Sequence, residues 1–293
     1  MPLDYARLKS WSSPDIRQRY SQRDTILHAL SVGAGIALDN GSRDSGLPDL
    51  PYIYGPTLAV LPTLATVLAC NPLWLRNPAL DVDWRQVVHG EQFLTMHQPL
   101  PAEGEVVGRS RVDEVYDKGP GRGAVLRYSI DLFDAADNTH YATVGLSAFI
   151  RGQGGFGGCA SPAPAPHPLP DRSPDASLEL PTRAEQAALY RLSGDLNPMH
   201  IDPAAAREAG FDRPVLHGLC YYSVACRALL KLLCNDQPTG LKKLNARFLG
   251  VVYPGETLRT EVWREGDGRA AFRMRVVERD TIVLGNGYFE FTH

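Results

Sequence analysis

This chain of 293 residues has no excess of basic side chains and no long apolar run. No apolar segment approaches the roughly 20 residues of a membrane-spanning helix, and the N-terminus lacks a basic stretch followed by an apolar one. With 30 Lys and Arg against 33 Asp and Glu, the formal net charge of −3 argues against a nucleic-acid-binding protein. The C-terminal residues 291–293 are not a peroxisomal address of the Ser-Lys-Leu type. We therefore expect a cytoplasmic protein, with neither a membrane nor a nucleic acid as its partner.

Disulfide frameworks and dinucleotide fingerprints are also missing. The five cysteines are odd in number and include no Cys-x-x-Cys pair, and three lie in one predicted helix at spacings that suit packing. This pattern predicts a reducing compartment. No glycine fingerprint of the Rossmann type follows a predicted strand, so we expect no dehydrogenase unit. The glycine-rich run 152–158 does not end in Gly-Lys-Ser/Thr, which favours a crossing segment over a phosphate loop.

Hydrophobic periodicity predicts two similar halves, each with helices before an antiparallel sheet, and hence an α+β protein. In the first half we predict helices at 14–38 and 57–69 and strands at 85–98, 104–116, 124–133 and 139–151. In the second half we predict helices at 184–192 and 219–233 and strands at 241–252, 257–265, 270–278 and 281–292. A proline-rich spacer lies between the halves. The predicted domains are 1–155, a linker at 156–180, and 181–293.

The most informative stretch places a carboxylate, a carboxamide and an imidazole within six residues, at Asp195, Asn197 and His200. Pro198 opposes a helical conformation at Asn197, so this stretch is predicted to be a loop. Such a loop could bring the three side chains into one small volume.

Local signals place this loop between two helices. Thr182 and Glu185 have the spacing of a capping box, and Gly194 stands where a left-handed residue ends a helix. Asp202 followed by Pro203 is a typical helix start, so Asp202 is better used as an N-cap than as a ligand.

An isolated Asp-x-Asn-Pro sequence is more often a turn than a site, because Asp and Asn side chains hydrogen-bond nearby backbone. His217 and Gly218 support the functional interpretation, because they directly precede the apolar helix predicted at 219–233. A free N–H at Gly218 could face a developing negative charge, although glycine there could also serve only to turn the chain. An acid–base pair and an anion donor are the parts that chemistry beside a thioester carbonyl needs.

The run from Tyr190 to Cys220 resembles the signature of the (R)-specific 2-enoyl-CoA hydratases. This is the MaoC-like or hydratase 2 family, found in peroxisomal multifunctional enzyme type 2 and in free-standing bacterial proteins. The similarity extends over nearly the whole chain, with further matches at 88–91, 117–119, 151–158 and 245–248.

The resemblance implies a double hot-dog, in which two antiparallel sheets each wrap around a long helix. It implies hydration of trans-2-enoyl-CoA to (3R)-3-hydroxyacyl-CoA, without a cofactor, in fatty-acid or related metabolism. The implied catalytic residues are Asp195, His200, Asn197 and Gly218. The implied substrate-binding residues are His89, Gly90, Lys118, Leu196, Pro198, Met199 and Phe248. We expect a homodimer with acyl-CoA as its ligand.

The halves differ chemically, since Asp24 and His28 of the first half have no neighbouring motif and are interpreted as ordinary helix residues. We therefore predict one active site per chain, built by the second half, while the first half shapes the acyl pocket. His217 is expected to be structural and to hydrogen-bond the loop.

Other interpretations of the site are kept open. A metal site is disfavoured because the motif lacks metal-ligand regularity. Lys242 and Arg247 are a weaker hypothesis for CoA phosphate contacts. A hot-dog thioesterase and a non-catalytic acyl-CoA binding subunit remain the alternative functions, because a fold does not fix a function.

Overall fold

The computed structural model describes residues 3–36, 49–159 and 161–292. Within these ranges, ten strands form one sheet in which every neighbouring pair is antiparallel, in the order β1-β3-β4-β5-β2-β7-β10-β9-β8-β6. In chain order the strands are β1 Ile16–Tyr20, β2 Val87–Met96, β3 Gly104–Asp117, β4 Ala124–Asp134, β5 His140–Ile150, β6 Ala176–Pro181, β7 Leu241–Phe248, β8 Thr257–Gly266, β9 Arg269–Val276 and β10 Thr281–Phe291. The eight strands predicted from the sequence are confirmed.

Six α-helices accompany the sheet in the described part of the chain. They are α1 Tyr5–Lys9, α2 Gln22–Ser31, α3 Leu50–Ile53, α4 Gln186–Tyr190, α5 Pro203–Glu208 and α6 Gly218–Leu233. No helix in the described ranges is long and apolar enough to cross a membrane.

The prediction of a helix at 14–38 is wrong for residues 16–20, which form strand β1. Residues 16–20 alternate in burial and pair with β3, and α2 begins only after Ser21, whose backbone N–H donates to Asp24 in a capping box. Asp24 is thus an ordinary helix-start residue, as predicted. The end of the predicted helix, 37–38, lies outside the described residues.

The prediction of a helix at 57–69 is also wrong. Only a 3-10 helix, Pro62–Val67, forms there, because Pro62 cannot donate a helical hydrogen bond and suits only a helix start. The inner face of the first-half sheet is therefore covered by α2 and by irregular segments. One of these packs Trp74 between Trp11 and Tyr128, with ring centroids 4.1 and 4.6 Å away.

The second half has the long helix of a hot-dog unit, and twelve of the sixteen residues of α6 are buried. The two half-sheets join where β2 pairs with β7, with Glu91 opposite Arg247 and Thr95 opposite Lys243. The double hot-dog prediction is confirmed, with both sheets merged into one. A buried ion pair of 2.5 Å between Arg227 on α6 and Asp49 ties the second half to the first.

The boundary region differs from the sequence prediction in two places. Strand β6 lies at the end of the segment predicted as linker, where alternating residues pair with β8. Thr182 does not cap the following helix. Its hydroxyl instead donates to the Glu256 carbonyl at 2.8 Å, and α4 starts after Glu185 without a side-chain cap.

Candidate active site

The loop after α4 is organised by its own side chains. Gly194 has a φ of +123°, which turns the chain out of the preceding 3-10 helix. The Asp195 carboxylate accepts the Asn197 N–H at 3.1 Å, and the Asn197 side chain accepts the Met199 N–H at 3.4 Å. These contacts fix a 3-10 helix, Pro198–His200. Asn197 therefore holds the loop, and through its backbone it orients Asp195.

Asp195 and His200 come together as the sequence predicted. The Nδ1 atom of His200 lies 2.7 Å from the Val215 carbonyl oxygen, which can only accept, so Nδ1 carries the proton. In the neutral ring Nε2 then has a free lone pair. It lies 3.8 Å from an oxygen of the Asp195 carboxylate.

This separation is too long for a direct hydrogen bond and leaves room for one water that donates to both atoms. The His200 side chain is only 5% exposed, whereas that of Asp195 is 43% exposed, so the pair faces solvent from the Asp195 side. Burial lowers the pKa of His200, and the Val215 carbonyl and Asp195 oppose that shift. A neutral His200 is thus the form present near pH 7.

His217 lies directly behind this pair. Its ring stacks on His200 with centroids 3.7 Å apart, and its Nε2 donates to the backbone carbonyl of Asp195 at 3.1 Å. The hydrogen bond to the loop that we predicted for His217 is therefore present. Burial and the neighbouring His200 lower the pKa of His217 to about 4, so it stays neutral.

Gly218 is the first residue of α6, and its N–H is among the first four amides that have no intrahelical acceptor. A Cβ atom at Gly218 would lie 3.2 Å from the ring of Phe248. Phe248 in turn contacts the ring of His89 edge-on, with centroids 4.7 Å apart. The structure thus brings Gly218, Phe248 and His89 together, although they come from a helix and two strands of different halves.

The other predicted substrate contacts are more dispersed. Gly90 lies at a bulge of β2, where a Cβ atom would be 3.2 Å from the Ser147 hydroxyl. Leu196 and Pro198 are exposed on the outer side of the loop, and Met199 is half-buried. Lys118 is exposed in the β3–β4 turn.

Lys242 and Arg247, our hypothesis for phosphate contacts, are not brought together. They stand five residues apart on β7, about 17 Å in an extended strand. Arg247 forms an ion pair of 3.9 Å with Glu91, while Lys242 lies at the end of the strand away from Phe248.

Two buried residues near the site were not singled out as functional by the sequence. Tyr190 lies between His217 and His28, with ring centroids 5.1 and 6.2 Å away, so a column of rings runs from α2 to His217 and His200. The Tyr190 hydroxyl and the Nδ1 atoms of His28 and His217 have no hydrogen-bond partner among the described residues. His28 is a buried residue of α2 whose Nε2 lies 3.1 Å from the Thr63 hydroxyl, which agrees with the expected helix residue, and its ring also forms the far end of this column. No local pattern reveals this, because the column forms only when the halves pack.

Asp195, His200 and His217 are also the described residues whose geometry comes closest to a metal site, with possible ligand atoms within 4.8 Å of one another. Hydrogen bonds already occupy Nδ1 of His200 and Nε2 of His217. The ligand atoms without a hydrogen bond are Nε2 of His200 and the buried Nδ1 of His217, beside the Asp195 carboxylate. Three such atoms could hold a metal ion, so the expectation that the site works without one stays a prediction.

Comparison with known proteins agrees with this architecture. The family model described as MFE-2 hydratase 2 N-terminal domain matches residues 18–152, and the one described as MaoC like domain matches residues 166–286. A crystal structure of a MaoC-like dehydratase from Phytophthora Capsici has a TM-score of 0.85 and 31% sequence identity, over 98% of each chain.

Two relatives are similar along more than nine tenths of their length. The chain is 38% identical over 281 residues to 3-hydroxyacyl-thioester dehydratase Y of Mycobacterium tuberculosis, with 93% of each protein covered. It is 34% identical over 292 residues to the peroxisomal enoyl-CoA hydratase 2 of Arabidopsis thaliana, which covers 94% of this chain and 92% of that relative. Because the two family models match both halves and identity at this level spans more than nine tenths of the chain, the chain belongs to the MaoC-like hydratase 2 family.

Proposed function

We propose that this protein catalyses the reversible hydration of trans-2-enoyl-CoA to (3R)-3-hydroxyacyl-CoA. The observation that carries the proposal is the gap of 3.8 Å between Nε2 of His200 and the Asp195 carboxylate, which suits one water molecule. The names of the relatives, an enoyl-CoA hydratase 2 and a 3-hydroxyacyl-thioester dehydratase, support the same reaction.

In this mechanism the water donates one hydrogen bond to His200 and one to Asp195, so a lone pair of its oxygen faces C3 of the substrate. The oxygen bonds to C3 as the C2–C3 π electrons shift toward the thioester carbonyl. One of the two side chains takes a proton from the water, and the pair returns a proton to C2. The pair ends as it began, and the reaction consumes only the water and the alkene.

Negative charge develops on the thioester oxygen during this step. The N–H of Gly218 is our proposed donor, because it opens α6 and lies at the positive end of a helix of 16 residues. Phe248 packs against Gly218 and so would place the acyl group beside that N–H. We propose that the first half shapes the acyl pocket, since it supplies His89 on the other side of Phe248.

The test is to mix the protein with trans-2-enoyl-CoAs of several chain lengths and to follow the loss of enoyl absorbance. A dehydrogenase specific for (3R)-3-hydroxyacyl-CoA then establishes the product's configuration. Asp195→Asn and His200→Gln should each lower kcat about a hundred- to ten-thousandfold, as expected for an acid–base group. Asp202→Asn is the matched control, because asparagine also caps α5 and activity should persist. An (S)-product would refute the stereochemistry alone.

Two other functions predict different outcomes. A thioesterase on this scaffold would release free CoA from enoyl and saturated thioesters, which a thiol reagent detects. A non-catalytic subunit would bind crotonyl-CoA equally well as wild type and as Asp195→Asn, without turnover in either. The neutral, shielded His200 opposite Asp195 favours hydration over both.

The proposed setting is acyl-CoA metabolism of the fatty-acid β-oxidation type, in the cytoplasm, with no cofactor and with the protein as a homodimer. All five cysteines are free thiols, which supports a reducing compartment. Light scattering tests the dimer, and a fluorescent fusion tests the location.

A further inference from the structure

A buried column of four rings joins the two halves behind the loop that carries Asp195. In order the rings are His200, His217, Tyr190 and His28, and the centroids of neighbouring rings lie 3.7, 5.1 and 6.2 Å apart. None of the four residues is more than 5% exposed. The column is therefore shielded from bulk water, although each of its rings carries polar atoms.

Three polar atoms of this column are unsatisfied. Among the described residues, the Tyr190 hydroxyl and the Nδ1 atoms of His217 and His28 have no hydrogen-bond partner. Roughly nine tenths or more of the buried polar atoms in folded proteins are paired, either with another protein group or with an ordered water. Buried waters typically bond to polar groups that the protein itself leaves unpaired. The column is thus a place where the protein needs a small polar molecule.

The unpaired atoms of Tyr190 and His217 are complementary. Nε2 of His217 donates to the Asp195 carbonyl at 3.1 Å, so Nδ1 of the neutral ring has only a lone pair to offer. The Tyr190 hydroxyl keeps its proton, because burial raises its pKa well above the ordinary tyrosine value. A donor without an acceptor therefore lies beside an acceptor without a donor.

One other hydroxyl faces Tyr190 but does not complete this pairing. Ser223 on α6 opposes the rise in the pKa of Tyr190, so it lies near the phenol. The Ser223 hydroxyl already donates to the Leu219 carbonyl at 2.7 Å, and the Tyr190 hydroxyl remains without a hydrogen bond. Ser223 therefore cannot supply the donor that Nδ1 of His217 lacks.

We propose that one buried water bridges Tyr190 and His217, which makes Tyr190 a positioning residue for the loop that carries Asp195. The water accepts a hydrogen bond from the Tyr190 hydroxyl and donates one to Nδ1 of His217. A donor at Nδ1 favours the tautomer in which Nε2 carries the proton and holds the Asp195 carbonyl. Tyr190 thereby acts through His217 and does not touch the substrate. Only the kinetic test of this inference rests on the proposed function.

The kinetic test is a double-mutant cycle. Tyr190→Phe keeps the ring but removes the donor, so kcat with crotonyl-CoA should fall about fivefold with KM unchanged, the effect of one hydrogen bond. In a His217→Leu background the same change should cause no further loss, whereas losses at independent sites add. Ser223→Ala, which removes the other hydroxyl near the phenol, is one control. Tyr222→Phe is the matched one, since that buried hydroxyl donates to the Leu244 carbonyl instead. Both controls should keep kcat.

NMR of the histidine rings decides even if the protein hydrates no enoyl thioester or Tyr190→Phe does not fold. After dialysis against a chelator, so that no metal occupies the ring, Nδ1 of His217 should resonate as an unprotonated nitrogen that accepts a hydrogen bond. In Tyr190→Phe this resonance should move toward that of a free nitrogen. A high-resolution crystal structure should show the bridging water. A free or protonated Nδ1 in the wild type, a bridge position without water, or additive losses in the cycle overturn the proposal.

Discussion

His200 and His217 lie face to face, 3.7 Å between ring centroids, and carry their protons on different nitrogens. His200 donates from Nδ1 to Val215, and His217 donates from Nε2 to Asp195. Both acceptors are backbone carbonyls, so the main chain on either side of the site fixes the two tautomers. The free Nε2 of His200 is thereby directed to Asp195, which is what a general base in this position requires.

His217 should act by positioning Asp195. In His217→Leu the hydrogen bond to the Asp195 carbonyl is lost, and we expect kcat to fall about fivefold with KM unchanged, because such a bond contributes about 1 kcal/mol. His217→Gln keeps a donor at a similar reach and should retain more activity than His217→Leu. Steady-state kinetics with crotonyl-CoA, beside melting temperatures, make the comparison. Equal losses in both variants would show that only the packing of the ring matters.

The pH dependence of kcat/KM should show an acid limb set by His200. Activity needs the neutral ring, so it falls as pH falls through the pKa of His200. Because burial lowers that pKa, the midpoint should lie below the ordinary histidine value of about 6.5. Asp195 opposes the shift, so in Asp195→Asn the pKa should fall further, which NMR titration of the imidazole can measure. A midpoint above 6.5 in the wild type would contradict the buried, neutral base.

Gly218→Ala should test whether the packing around Gly218 matters, because the variant keeps the backbone N–H that we propose as the donor. The first position of α6 tolerates alanine, but the new Cβ would lie 3.2 Å from the Phe248 ring, which must then move by a few tenths of an ångström. We expect a stable protein with a raised KM. Combining the change with Phe248→Leu should relieve the contact and recover part of the loss. If Gly218→Ala alone has wild-type kinetics, Phe248 does not set the position of the acyl group.

Metal removal should leave the reaction intact. Dialysis against a chelator should not change kcat, because the proposed mechanism uses only side chains and one water. Added Zn²⁺ should inhibit, since Asp195, His200 and His217 place possible ligand atoms within 4.8 Å and the metal would take the lone pair of the base. Inhibition should weaken in His217→Leu if that ring takes part. Activity that is lost on chelation and restored by one metal would refute the metal-free mechanism.

Much of the second half could be predicted from the sequence because its signals are local. Asp202 caps α5 as expected, Gly194 adopts a positive φ, and α6 starts at Gly218. Capping, glycine conformation and helix periodicity depend on residues a few positions apart. They can therefore be predicted from a single sequence. The Thr182 capping box failed because the N–H of Gly255, 73 positions away, donates to the hydroxyl oxygen that would have accepted from the helix, and the hydroxyl itself donates to the Glu256 carbonyl.

The sequence by itself determined eight of the ten described strands, the loop that carries Asp195 and His200, and the resemblance to one family. Only the tertiary structure decided that His89 and Phe248 meet beside Gly218 and that His217 supports Asp195. The physical reason is that these contacts join distant segments through the packing of two half-sheets. Their geometry follows from strand register and burial, which no local pattern of residues specifies.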